Sequence, residues 1–81
     1  MKSINCVVKK LKKIMDEKKI TVYQLSKRTN IERTSLYKIF NGTTKDIMFL
    51  TLINILDALD YPMGNFFDDK LMQELKKEIA D

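Results

Sequence analysis

The sequence predicts an all-α domain, and three observations carry that prediction. Apolar residues recur at spacings of three and four along most of the chain, the period of a half-buried helix. Glycine is scarce (two residues) and proline scarcer (one), which suits packed helices joined by short turns. Apolar residues make up 44% of 81, enough for a single small core and too many for a disordered chain. No internal repeat, low-complexity tract or linker interrupts the pattern. A domain of this size buries only about 60% of the surface its unfolded chain exposes. Its core must be economical, and a large catalytic cleft is not expected.

The first helix is predicted over residues 3–18. Ile4, Val7, Val8, Leu11, Ile14 and Met15 fall within about 100° of helical arc, with Lys9, Lys12, Lys13 and Asp16 opposite. Cys6 lies beside the stripe and reads as a small, inert, partly buried residue, since no base or metal partner is suggested near it. The second helix starts at Thr21, because Thr21 with Gln24 three residues on is a capping-box signature. Val22, Leu25 and Thr29 would face inward, and Ser26 is small enough to admit a neighbouring helix. Asn30 can take the left-handed conformation that ends a helix and turns the chain sharply, and Ile31 would plug the core beside it.

The third helix is predicted over residues 32–40. Leu36, Ile39 and Phe40 form its inner stripe, and Thr34, Tyr37, Lys38 and Asn41 lie opposite with Arg33 at their edge. Asn41-Gly42 closes it. In "MFLTLINILDALD", Phe49, Leu52, Ile53, Ile55, Leu56 and Leu59 cover a wide arc, which predicts the central and most buried helix. Asp60-Tyr61-Pro62 breaks it. Pro62 suits the first position of a short fifth helix anchored by Met63, Phe66 and Phe67. The tail "DDKLMQELKKEIAD" has a stripe of Leu71, Met72, Leu75 and Ile79, acids at its start and lysines near its end, as the helix dipole prefers. At this length it would be marginal alone in water and must pack on something.

Composition narrows the function. One cysteine and no histidine preclude a disulfide within the chain and a Cys/His metal site, and no cofactor is expected. The start, "MKSINCVVKKLKK", has too short an apolar run for a signal peptide or membrane span, so a cytoplasmic protein is expected. There is no glycine-rich phosphate loop and no convincing carboxylate pair, Asp68-Asp69 reading better as helix-end charge. An enzyme is therefore not expected. The net charge of +4 hides an asymmetry: residues 1–45 carry 12 Lys/Arg against 3 Asp/Glu, and residues 46–81 carry 3 Lys against 8 Asp/Glu. A basic front half suits a polyanion, and the alternative is a solvated lysine-rich surface.

Two short helices, residues 21–29 and 32–40, joined by a tight turn at Asn30-Ile31, make a helix-turn-helix arrangement. The second has an apolar back and an outer face of Arg, Thr, Tyr, Lys and Asn, which suits a major groove. Arg pairs bidentately with guanine, Thr offers a hydroxyl or a methyl, and Lys donates to guanine or phosphate. Local pattern alone leaves open a plain helical hairpin with polar residues facing water.

From Leu11 to Phe67 the chain resembles the Cro and phage-repressor type of helix-turn-helix domain, also called the xenobiotic-response-element family. The matching stretches are "LKKIMDEKKIT", "QLSKRTNIERTSLYKIFNG" and "LINILDALDYPMGNFF". No single stretch is specific, but their order and apolar spacing together are. The resemblance implies a compact five-helix repressor-like domain over residues 1–67. Residues 68–81 then form a short additional C-terminal helix, part of the same domain or a dimer element. It implies a sequence-specific regulator of repressor type acting on double-stranded DNA. Base-reading positions fall on Arg33, Thr34 and Lys38, with Tyr37 beside them, and phosphate-contacting positions on Thr21, Val22, Asn41, Thr43 and Lys45. Backbone N–H groups at a helix start bind phosphate whatever the side chain. Such domains commonly pair as homodimers, for which Phe66, Phe67, Leu71, Leu75 and Ile79 are the candidate residues. Many antitoxins share the domain, so a toxin or another regulatory protein is the alternative partner. Val22 stands where members often carry Gln, Glu32 where they carry a Ser/Thr cap, Asn30 and Asp60 where they carry glycine, and Phe40 where they carry Glu.

Overall fold

The computed structural model describes residues 5–43 and 46–80, and these form six helices: α1 (Asn5–Lys18), α2 (Val22–Thr29), α3 (Arg33–Phe40), α4 (Phe49–Ala58), α5 (Met63–Phe66) and α6 (Asp69–Ala80). The expected helical positions of Ser3 and Ile4, and the phosphate-contacting position expected at Lys45, lie outside the described residues.

Helix α1 is the spine. Its inward residues Cys6, Val7, Val8, Leu11, Ile14 and Met15 are all buried, more than any other helix contributes. This corrects the expectation that α4 would be the most buried element. In α4, Leu52, Ile55 and Leu56 are buried, as is Leu59 just past its end, but Ile53 is only partly covered and Phe49 is 65% exposed. The apolar arc of α4 is wider than the surface its neighbours offer, because its first turn projects beyond them: Met48, Phe49 and Leu50, three consecutive residues, all face outward.

Two helices stop by the same device. At the end of α1 the N–H of Ile20 donates to the carbonyl of Met15 (2.9 Å) and that of Lys19 to Asp16 (3.2 Å). At the end of α4, Tyr61 donates to Leu56 and Asp60 to Asp57, both at 3.0 Å. These are Schellman motifs, in which one residue adopts the left-handed conformation to satisfy the last carbonyls. Lys19 (φ 57°) and Asp60 (φ 53°) take that position without being glycine. The returning apolar residues, Ile20 and Tyr61, then pack onto the core. Pro62 is the N-cap of α5 rather than its first residue: its backbone is extended, and its carbonyl accepts from Asn65 and Phe66.

Helix α6 runs back along α1. Its Leu71 is buried and Leu75 partly so, but Met72 (40%) and Ile79 (79%) are exposed. The face turned to α1 includes Glu78, whose carboxylate accepts from the Cys6 N–H at 3.0 Å. That N–H belongs to the first turn of α1, where a donor has no partner within its helix and the dipole favours an anion. At the other end Asp68 caps α6, accepting from the Leu71 N–H (2.9 Å), and pairs with Lys10 Nζ at 2.9 Å. The Leu71 N–H first, and then Lys10, hold the Asp68 carboxyl below the usual carboxylate value of 3.8. A carboxyl depressed by folding contributes stability that is complete above the unfolded value and is lost as pH falls through the folded one. The melting temperature is therefore expected to drop as the solution is acidified below about pH 3.8, and Asp68→Asn should shrink that drop. Thermal melts of both proteins at pH 7 and pH 3 check this. An identical drop in the two would remove Asp68 from the account.

Candidate nucleic-acid interface

The site is built on the joint between α2 and α3. Helix α2 begins with both halves of the capping box in place: the Gln24 N–H donates to Thr21 Oγ1 (3.1 Å) and the Thr21 N–H to Gln24 Oε1 (2.9 Å). The box uses two of the donors at this helix start. The N–H groups of Val22 and Tyr23, in the first turn, have no helical acceptor. At the far end of α2 Asn30 is left-handed (φ 61°), and its N–H closes on the Ser26 carbonyl at 3.0 Å.

Thr29 holds the turn together. It is buried, its hydroxyl donates to the Leu25 carbonyl (2.8 Å), and the same oxygen accepts from the Ile31 N–H (3.2 Å). Asn54 of α4 donates to the Thr29 carbonyl (3.0 Å), and Arg28 reaches the Ala58 carbonyl (3.1 Å). The joint is thus bonded from inside and braced by α4. Ile31 packs against the core as a partial plug. With Leu25 and Leu36 fully buried across the joint, the angle between the two helices is set by packing.

That packing fixes which face α3 presents. Leu36, Ile39 and Phe40 are buried, whereas Arg33, Thr34, Tyr37, Lys38 and Asn41 are exposed on the opposite side, Tyr37 at 52%. The base-reading residues named from the sequence therefore share one outward face. Ser35 is exposed beside them. Glu32 is the N-cap of α3 but makes no side-chain capping hydrogen bond, so the first-turn N–H groups of α3 take no partner from it. After α3, the Asn41 side chain accepts from the Thr43 N–H (2.9 Å), and Gly42 is left-handed (φ 84°), which turns the chain as it leaves the helix.

The structure adds two residues that sequence reasoning passed over. Tyr23, half exposed on α2, lies beside both Lys27 and Arg33: Lys27 Nζ is 5.3 Å and the Arg33 guanidinium carbon 5.2 Å from its ring centroid. Tyr23 and Lys27 are four residues apart on one helix face, which is legible in the sequence. Arg33 joins them only through the tertiary turn. Of the positions weighed for dimerisation, Phe66 and Leu71 are buried in the chain's own core, Phe67 and Leu75 are partly covered by it, and Ile79 is exposed.

A helix-turn-helix with a basic, polar outer face defines a DNA-binding module, and comparison with known proteins agrees. The chain belongs to the Cro/C1-type helix-turn-helix DNA-binding domain family, whose model matches residues 10–77. It is similar to the restriction-modification controller protein C.Esp1396I, known from the crystal structure of a tyrosine-to-phenylalanine mutant. The TM-score is 0.79 at 28% identity, over 95% of this chain and 98% of that one. No curated protein sequence matches this one. Family and fold together make the protein a DNA-binding regulator of transcription. Among the described residues no helix is long and apolar enough to cross a membrane.

Proposed function

We propose that the protein reads double-stranded DNA by laying α3 in the major groove, as a homodimer, and that it controls the genes of a restriction-modification system. The observation that carries the reading is the single outward face holding Arg33, Thr34, Tyr37 and Lys38, fixed by burial of Leu36, Ile39 and Phe40 behind it. Arg33 at the start of α3 would pair with guanine, and Thr34, Tyr37 and Lys38 with neighbouring base edges. The free N–H groups of Val22 and Tyr23 and the loop at Asn41 and Thr43 would take phosphates on either side. The assignment to restriction-modification control is supported by the likeness to C.Esp1396I.

Homodimerisation is supported by scale and surface. The molecule measures 36 × 25 × 21 Å, so one copy is of a size that fits beside a second on half-sites about 34 Å, one DNA turn, apart. Met48, Phe49 and Leu50, exposed just beyond the loop that follows α3, are the apolar surface a second copy would cover, since Phe66 and Leu71 are already used inside the monomer. Selection of bound sequences from a random DNA pool, read at two salt concentrations, tests both parts. An inverted repeat with half-sites one helical turn apart is expected. Enrichment without any motif would overturn the groove reading, and a lone half-site would overturn the dimer.

A further inference from the structure

The contact between Tyr23 and Arg33 crosses the turn of the helix-turn-helix and brings a cation of the reading helix onto an aromatic ring of the helix before it. Both Arg33 and Lys27 lie within the roughly 6 Å at which a ring face attracts a cation. The arrangement has electrostatic costs. Two like charges share one ring, and Arg33 stands at the positive end of α3, where a cation is disfavoured. Glu32, the neighbouring acid, offsets that end through its charge alone, since its side chain makes no capping bond. An acceptor arriving at this corner therefore meets two cations whose mutual repulsion it relieves. An exposed arginine otherwise samples many rotamers, and ordering it on binding lowers affinity. A guanidinium already drawn over a ring loses less of that freedom, because fewer rotamers remain to be excluded when its planar fork meets an acceptor.

We propose that Tyr23 is a positioning residue for base reading. Its ring holds the Arg33 guanidinium in place before DNA arrives, so that Arg33 meets the acceptor edge of guanine in one orientation, while Lys27 on the same ring is directed to the adjacent phosphate. The proposal rests on the reading that α3 enters the major groove. It adds that specificity at the base pair read by Arg33 depends on a residue of α2 that touches no base.

The test measures base preference as well as affinity, in the full-length protein, across a set of sites varied one base pair at a time. Tyr23 is half exposed, so its variants should fold, which thermal melts verify. Tyr23→Leu is expected to relax the preference for guanine at one base pair by roughly twofold to fivefold, the size of a lost cation–aromatic contact at an exposed site. Arg33→Ala should erase preference at that same base pair. Tyr23→Phe, which keeps the ring, should retain the wild-type preference, and adding Tyr23→Leu to Arg33→Ala should change that preference no further. If Tyr23→Leu keeps full preference while Arg33→Ala loses it, the positioning role is overturned and the groove reading stands. Equal weakening on every site by Tyr23→Leu would likewise overturn it, since that is the mark of a structural or phosphate contact. If Arg33→Ala alters preference at no base pair, Arg33 does not read a base, and the proposal falls with that part of the reading.

Discussion

Phe66→Ala is expected to destabilise the protein by about 3–5 kcal/mol, the usual cost of truncating a buried phenylalanine. Phe66 is fully buried on a helix only four residues long, so α5 owes its place to this side chain. Its ring meets Tyr61 edge-on at 6.4 Å and Phe67 at 5.1 Å, and the Lys10 ammonium lies 5.2 Å from its centroid. Lys10 also donates to the Phe66 carbonyl and pairs with Asp68 at the start of α6. Truncation would thus open a cavity where α1, α5 and α6 meet. A domain of this length has roughly 4–12 kcal/mol of stability in all. The midpoint of thermal unfolding should fall by about 15–30 °C, and Phe66→Leu should fall much less. A loss under about 1 kcal/mol in the alanine variant would show that the ring is not part of the core.

Arg33→Ala is expected to weaken binding at the cognate site by about 1–3 kcal/mol, roughly 5- to 150-fold in affinity, and to leave non-specific DNA binding much less affected. Arg33 is exposed, so thermal stability should stay within about 0.5 kcal/mol of the wild type. Titration against cognate and scrambled duplexes at one fixed salt concentration separates the two effects, because phosphate contacts depend steeply on salt. Equal weakening on both duplexes would reduce Arg33 to a phosphate contact. No weakening on either would remove it from the interface.

Much of this architecture is local chemistry. The capping box is a pair of residues three apart, and both its hydrogen bonds form where the sequence puts them. Asn30 and Asp60 stand where a left-handed residue is needed and adopt that conformation. The inner stripe of α3 is buried as its periodicity predicts, which by exclusion places its polar face outside. Lys19 was not legible in this way. A lysine carries no preference for the left-handed region, and it is driven there by the Schellman closure that returns Ile20 to the core.

Apolar periodicity says that a helix has an inner face but not how far the neighbouring helices extend along it. Phe49 lies on the predicted arc of α4 and still faces outward, because the first turn of that helix overruns its partners. Ile79 lies on the predicted stripe of α6 and faces outward too, while a charged residue, Glu78, turns inward because an unpaired N–H of α1 awaits it.

By itself, then, the sequence determined the helices, their caps, the two faces of α3 and the identity of the side chains on its outer face, since each follows from residues within one or two turns of one another. Only the tertiary structure decided that α1 rather than α4 is the spine, that the tail closes the monomer through Leu71, and that Tyr23 meets Arg33 across the turn. These rest on contacts between separate helices. Such contacts depend on where each helix ends and how it is docked, and no periodicity within a single helix carries that information.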